Sequence, residues 1–188
     1  MKEENSLTAQ ESLDIITSMI REAKGNMSRN GFYFLLWGWV IIIANLGMYA
    51  LQKVGYQYFY IVWAITVPAW IISMVRGFRE GKAQHKTTHL DTISMWVWVT
   101  FGITIFTLVA FGSKINYQLN PVILTISSIP TFLSGVLIRF KPLMLGGISF
   151  WIFGIISFLT PVETQPLVGA LAILCGYIVP GYILKTKE

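Results

Sequence analysis

Apolar residues come in six long runs, at positions 32–51, 58–75, 93–111, 121–138, 143–160 and 167–184. Each run is 18–20 residues long and holds no Asp, Glu, Lys, Arg or His. A helix needs roughly 20 apolar residues to cross the hydrocarbon core of a bilayer. A soluble helical bundle would require a polar stripe along at least some helices, and these runs show none. The pattern predicts an all-α fold, a bundle of six transmembrane helices over 32–184.

A different periodicity precedes the first run. Thr8 and Glu11 are spaced as a capping box, each side chain reaching the other's backbone N–H. Leu13, Ile16 and Ile20, joined by Met19, then recur at helical spacing. Glu11 and Asp14 come early and Arg21 and Lys24 late, which suits the helix dipole. The spacing predicts an amphipathic cytosolic helix within 1–31, stopping at Gly25-Asn26, with a short cytosolic tail at 185–188. The face of Leu13, Ile16, Met19 and Ile20 suits either the membrane surface or docking to a cytosolic partner or second copy. The first run is too long for the apolar region of a cleavable signal, about 7–15 residues, so it is expected to remain as a span.

The stretch Glu11-Ser12-Leu13-Asp14-Ile15-Ile16-Thr17-Ser18-Met19-Ile20, leading to Gly31-Phe32-Tyr33-Phe34-Leu35-Leu36-Trp37-Gly38-Trp39, resembles a family of small, uncharacterised bacterial multi-pass integral membrane proteins. The resemblance covers about the first quarter of the chain. It implies an integral membrane protein without an assigned activity and carries no site residues over.

Composition agrees. Hydrophobic residues make up 54% of the 188 and charged residues 12%, with a mean hydropathy of +0.61; soluble chains are about 25% charged. This excludes a disordered chain and a disulfide scaffold, and Cys175 has no second cysteine to pair with. A net charge of +5 would suggest nucleic acid if the cations clustered on one polar surface. Instead they follow the loops. With the N-terminus inside, segments 1–31, 76–92, 139–142 and 185–188 hold 12 Lys and Arg, while 52–57, 112–120 and 161–166 hold only Lys53 and Lys114. The positive-inside rule then puts both termini in the cytoplasm, in an inner membrane. Trp37, Trp39, Trp96 and Trp98 fall toward inner span ends, and Tyr49, Tyr56, Tyr58, Tyr60 and Tyr117 toward outer ones, where amphipathic rings meet headgroups.

The runs pair into three hairpins, each with Trp in its first span and Pro68, Pro130 or Pro180 in its second. This fits either a parallel repeat or coincidence. The triple-hairpin mitochondrial carriers do not match: their Pro-x-acidic motifs end odd-numbered spans, and here the prolines sit in even-numbered ones.

Candidate chemistry is sparse. His85 and His89 lie four apart beside Asp91, but no Glu follows the first, so the zinc-protease pattern is missing; two solvated histidines are the plainer reading. Proton relays use intramembrane ionisable residues, and a thiol or serine nucleophile needs a base. The spans supply neither, so no enzyme, cofactor or metal site is expected. Mild polarity remains. Thr100, Thr104 and Thr107 form a stripe on span three, Ser127, Thr131 and Ser134 one on span four, and Asn45 is the only amide inside a span. Together they form a candidate polar seam between spans three and four. One reading is helix packing through small residues and hydroxyls. The other is a cavity for a small molecule, helped by the carbonyls the prolines release at Ala64, Ile126 and Gly176. Two functions follow: a non-enzymatic membrane protein acting through partners (a regulator, scaffold or complex subunit), or a small transporter or lipid-binding protein using the seam. Its expected associates are the lipid bilayer and a cytosolic protein or homo-oligomer, not nucleic acid.

Overall fold

The computed structural model describes residues 9–83 and 89–186, with side chains described for 31–82 and 90–186. All regular elements among them are helical: α1 (Ala9–Lys53), a 3-10 segment (Phe59–Ile65) leading into α2 (Thr66–Ala83), α3 (His89–Ala110), a short 3-10 turn (Gly112–Ile115), α4 (Leu119–Leu137), α5 (Lys141–Phe158), and α6 (Gln165–Ile173) joined by a π turn (Leu174–Ile178) to α7 (Val179–Lys185). Among the described residues, six stretches are long and apolar enough to cross a membrane: Gly31–Lys53, Phe59–Lys82, Leu90–Ala110, Leu119–Leu137, Lys141–Phe158 and Gln165–Lys185. They coincide with the six apolar runs, and the protein is a multi-pass membrane protein by length and composition of its helices.

The expected stop at Gly25-Asn26 is not taken. Helix α1 runs unbroken for 45 residues, about 68 Å at 1.5 Å per residue. The first span accounts for 23 of them, so 45 less 23 leaves 22 residues of helix ahead of it. A glycine inside a helix costs about 1 kcal/mol, too little to end one that extends on both sides. The backbone of Leu13, Ile16, Met19 and Ile20 is helical; their side chains, like Thr8, lie outside the described residues.

Cross-helix contacts fix how the spans alternate. The Tyr33 hydroxyl donates to Glu80 (3.2 Å) and the Trp98 indole to Ser134 (3.2 Å), and Phe34 meets Trp98 edge-on with centroids 6.1 Å apart. Those residues mark one end of the bundle. Residues 45, 120 and 165 meet nearer the other end.

Burial is uneven. Buried residues make up 56% of the most apolar stretch of the sixth span, 44% of the fourth and 33% of the first and fifth. The figure is 6% for the second span and zero for the third. The core gathers Phe34 and Ile42 from α1, Leu124 from α4, Leu143 and Phe150 from α5, and Ala172, Tyr177 and Leu184 from the last span. Phe150 and Tyr177 meet edge-on at 5.0 Å, the arrangement aromatic quadrupoles favour.

Glycines make α4 and α5 the closest pair. A β-carbon at Gly147 would lie 2.7 Å from the Phe132 backbone nitrogen, and one at Gly135 2.6 Å from that of Met144. Their hairpin is tight because Arg139 takes a left-handed φ of 52°, with Phe140 N–H donating to Gly135 O (2.8 Å) and Arg139 N–H to Val136 O (3.1 Å). This is the Schellman pattern, with Arg139 in the position glycine usually takes. Pro142 follows at the start of α5, where its missing N–H has no intrahelical partner to lose.

Candidate functional site

The polar residues of the membrane region divide into three groups. On span three, Thr104 and Thr107 donate to the carbonyls of Thr100 and Ile103 at 2.8 and 2.9 Å, and Thr100 donates to that of Trp96. Each carbonyl belongs to the threonine's own helix, and Thr100 and Thr107 are exposed. The threonine stripe therefore turns its hydroxyls onto its own backbone. The α3–α4 hydrogen bond is made instead by Trp98 and Ser134.

On α4 the stripe is buried. Ser127 Oγ donates to Ile123 O (2.6 Å) and Thr131 Oγ1 to Ser127 O (2.7 Å), and Thr131 also lies 3.3 Å from the Tyr177 hydroxyl. These residues face the core and the last span. The residues expected to form a seam between spans three and four thus bond in different places: Ser127 and Thr131 in the core, Ser134 in the clasp with Trp98, and the three threonines on the backbone of α3.

Asn45 is buried in a cluster the sequence reading missed. Its Nδ2 donates to Ile41 O (2.9 Å), and its Oδ1 faces Asn120 Nδ2 at 3.4 Å. Asn120 Nδ2 also donates to Gln165 O (2.9 Å). Gln165 is buried too, its Nε2 donating to Gln118 Oε1 (2.7 Å) and to the carbonyls of Ser157 (3.2 Å) and Thr160 (3.3 Å). Gly169 makes the room: a β-carbon there would sit 2.9 Å from both Asn120 Nδ2 and Asn45 Oδ1. The cluster ties α1, α4 and α6 together beside the turns at 111–118 and 159–164. Its signal was Asn120-Pro121 and Gln165-Pro166, an amide followed by proline at the start of spans four and six. Amides do not titrate in the usual range, so this network fixes register and accepts polar contacts without moving protons. Ser157 Oγ, close by in sequence, is buried without a hydrogen-bond partner.

The prolines act differently from one another. Pro68 sits in the first turn of α2 and Pro130 inside α4. Before Pro180 the backbone slips into a π turn, in which Val179 N–H reaches Leu174 O, a common answer to a missing donor. The Gly176 carbonyl faces α5, where a β-carbon at Gly146 would lie 2.6 Å from it. That carbonyl is covered by packed helix, not aimed into a cavity.

Among the described residues no three His, Cys, Asp or Glu come close enough to share a metal ion. His85 and the side chain of His89 lie outside the described residues. No protein family, curated protein or solved structure matches the chain.

Proposed function

We propose that the chain is a non-enzymatic protein of the bacterial inner membrane that acts through partners, as a regulator, scaffold or complex subunit. The observation that carries this reading is the contrast in burial. Four spans pack into a core, while the second and third expose faces a span long. Trp70, Ile71 and Phe78 on α2, and Trp96, Ile103 and Phe106 on α3, are all more than half exposed. In lipid, helices associate through packing and hydrogen bonds, not by escape from water, so such faces accept a partner's helices as readily as acyl chains. The 22 helical residues ahead of the first span add a surface outside the hydrocarbon, the docking face expected at Leu13, Ile16, Met19 and Ile20.

The test is co-purification in mild detergent. The full chain, a form lacking residues 9–30, and an Ile103→Ser/Phe106→Ser form are compared. A partner lost with either alteration, while the protein still folds, supports the reading. Partners unaffected by both, or none recovered, contradict it.

The 12-to-2 distribution of basic residues supports cytoplasmic termini. Cysteines introduced at Ser113 and Thr164 are expected to react with an impermeant reagent in intact cells, and one at Ser28 is not. Labelling at Ser28 would reverse the threading.

A further inference from the structure

A groove of 430 Å³ runs along α1 at the end of the bundle marked by Tyr33 and Trp98. Its floor is Phe32, Leu36, Val40 and Ile43, one stripe of α1, with Trp39 beside it. Trp39 and Ile43 are each about half exposed, so the groove opens sideways toward lipid. Two cations stand among its lining residues: Arg76 from α2 and Lys185 from the end of α7.

The arginine is held in place. Its Nε donates to Glu80 Oε1 at 2.7 Å, and its guanidinium carbon lies 3.8 Å from the centre of the Phe32 ring. Glu80 is in turn fixed by the Tyr33 hydroxyl. Glu80 engages only the Nε edge, and among the described residues the two Nη groups have no acceptor. Lys185 likewise has no carboxylate partner among the described residues. The groove therefore carries one compensated and one uncompensated cation at its mouth, with a planar fork of donors suited to phosphate oxygens.

Length identifies the rest of the occupant. From Phe32 to Ile43 the floor rises 11 residues, about 17 Å at 1.5 Å per residue. One leaflet of a bilayer's hydrocarbon core is about 15 Å thick. Basic pockets between membrane helices bind anionic headgroups on the cytoplasmic side. From these features we propose that the groove seats one anionic phospholipid, its phosphate between Arg76 and Lys185 and an acyl chain along Leu36, Val40 and Ile43. Bound there, the lipid bridges α1, α2 and α7 and adds a further tie between the little-buried second span and the core. The inference is independent of any protein partner.

The full-length protein in neutral detergent is titrated with dioleoylphosphatidylglycerol, dioleoylphosphatidylcholine, sn-glycerol 3-phosphate and inorganic phosphate, and thermal unfolding is followed. The expected result is stabilisation by phosphatidylglycerol well above phosphatidylcholine, and none by the two soluble phosphates. Arg76→Gln/Lys185→Gln is expected to weaken phosphatidylglycerol about 25-fold, at about fivefold per cation. Arg139→Gln/Lys141→Gln, at the same end of the bundle but away from the groove, is expected to keep the preference. The proposal is overturned if the first pair keeps the preference, if the second loses as much, or if inorganic phosphate stabilises as well as the lipid. A phosphatidylglycerol carrying a photoreactive acyl chain reads the same site in the unaltered protein. Crosslinks concentrated in residues 32–43 and 179–185 support the proposal, and crosslinks spread evenly over the six spans sink it.

Discussion

Spans five and three are of similar length and apolarity, yet one is a core element and the other lies outside the core. In α5, Leu143, Gly146, Gly147, Phe150, Gly154 and Ser157 are buried. The recurrence of small residues lets the backbone of α4 approach to contact distance. In α3, Gly102 has nothing within 4 Å of where a β-carbon would sit, and Phe106 is 77% exposed. Hydrophobicity places a helix in the membrane, and small residues set opposite one another place it against a neighbour.

The peripheral spans are not loose, however. Trp37 donates to Ser73 on α2 at 3.1 Å, and Trp98 to Ser134 on α4 at 3.2 Å. Both bonds join the first span of a hairpin or pair to the next, and both link residues 36 apart. The first two hairpins thus share one clasp at the same separation, a feature the third does not repeat among the described hydrogen bonds.

The contrast is open to a graded set of substitutions, each measured by thermal or denaturant unfolding in detergent. Phe150→Ala is expected to cost about 3 kcal/mol, the low end of the soluble range because lipid replaces water as the reference; Phe106→Ala is expected to cost under about 0.5 kcal/mol. Equal losses would mean α3 packs as α5 does. Gly147→Ala forces a β-carbon against the Phe132 backbone and is expected to cost about 1–3 kcal/mol. Its counterpart Gly102→Ala is expected to be neutral or to stabilise by up to about 1 kcal/mol. Asn120→Leu leaves Gln165 O and Asn45 Oδ1 without their donor, a loss of about 1–2 kcal/mol; no loss would show the amide cluster is incidental. Among substitutions that remove a packed or bonded contact, the smallest losses are expected for Ser73→Ala and Ser134→Ala, about 0.6 kcal/mol each. Both are expected to act alike if the two clasps are equivalent.

The spans and their order were legible because charge is so costly in a bilayer that all 23 charged residues fall outside the six apolar runs. That spans three and four adjoin was legible too, but the side chains that join them were not. Thr100, Thr104 and Thr107 share one helical stripe, yet a hydroxyl can satisfy itself on its own backbone, so a polar stripe does not specify a partner. Asn120 and Gln165 escaped notice because they sit at span ends, where an amide reads as a loop residue. Trp37 and Trp98 read as headgroup anchors, and their indole N–H bonds to serine depend on which helices adjoin. The continuity of α1 through Gly25 was hidden for the opposite reason: a strong local stop signal yields when helix extends on both sides of it.

Helices α1, α4, α5 and the last span form the packed unit, and the second and third spans face outward. Photolabelling with a small lipid-soluble diazirine, on purified protein reconstituted alone in phosphatidylcholine vesicles, measures this directly. Heavy labelling is expected over residues 59–82 and 90–110, Phe106 included, and little on Leu143, Phe150, Ala172 or Tyr177. Labelling of Phe150 and Tyr177 as heavy as that of Phe106 would contradict this packing.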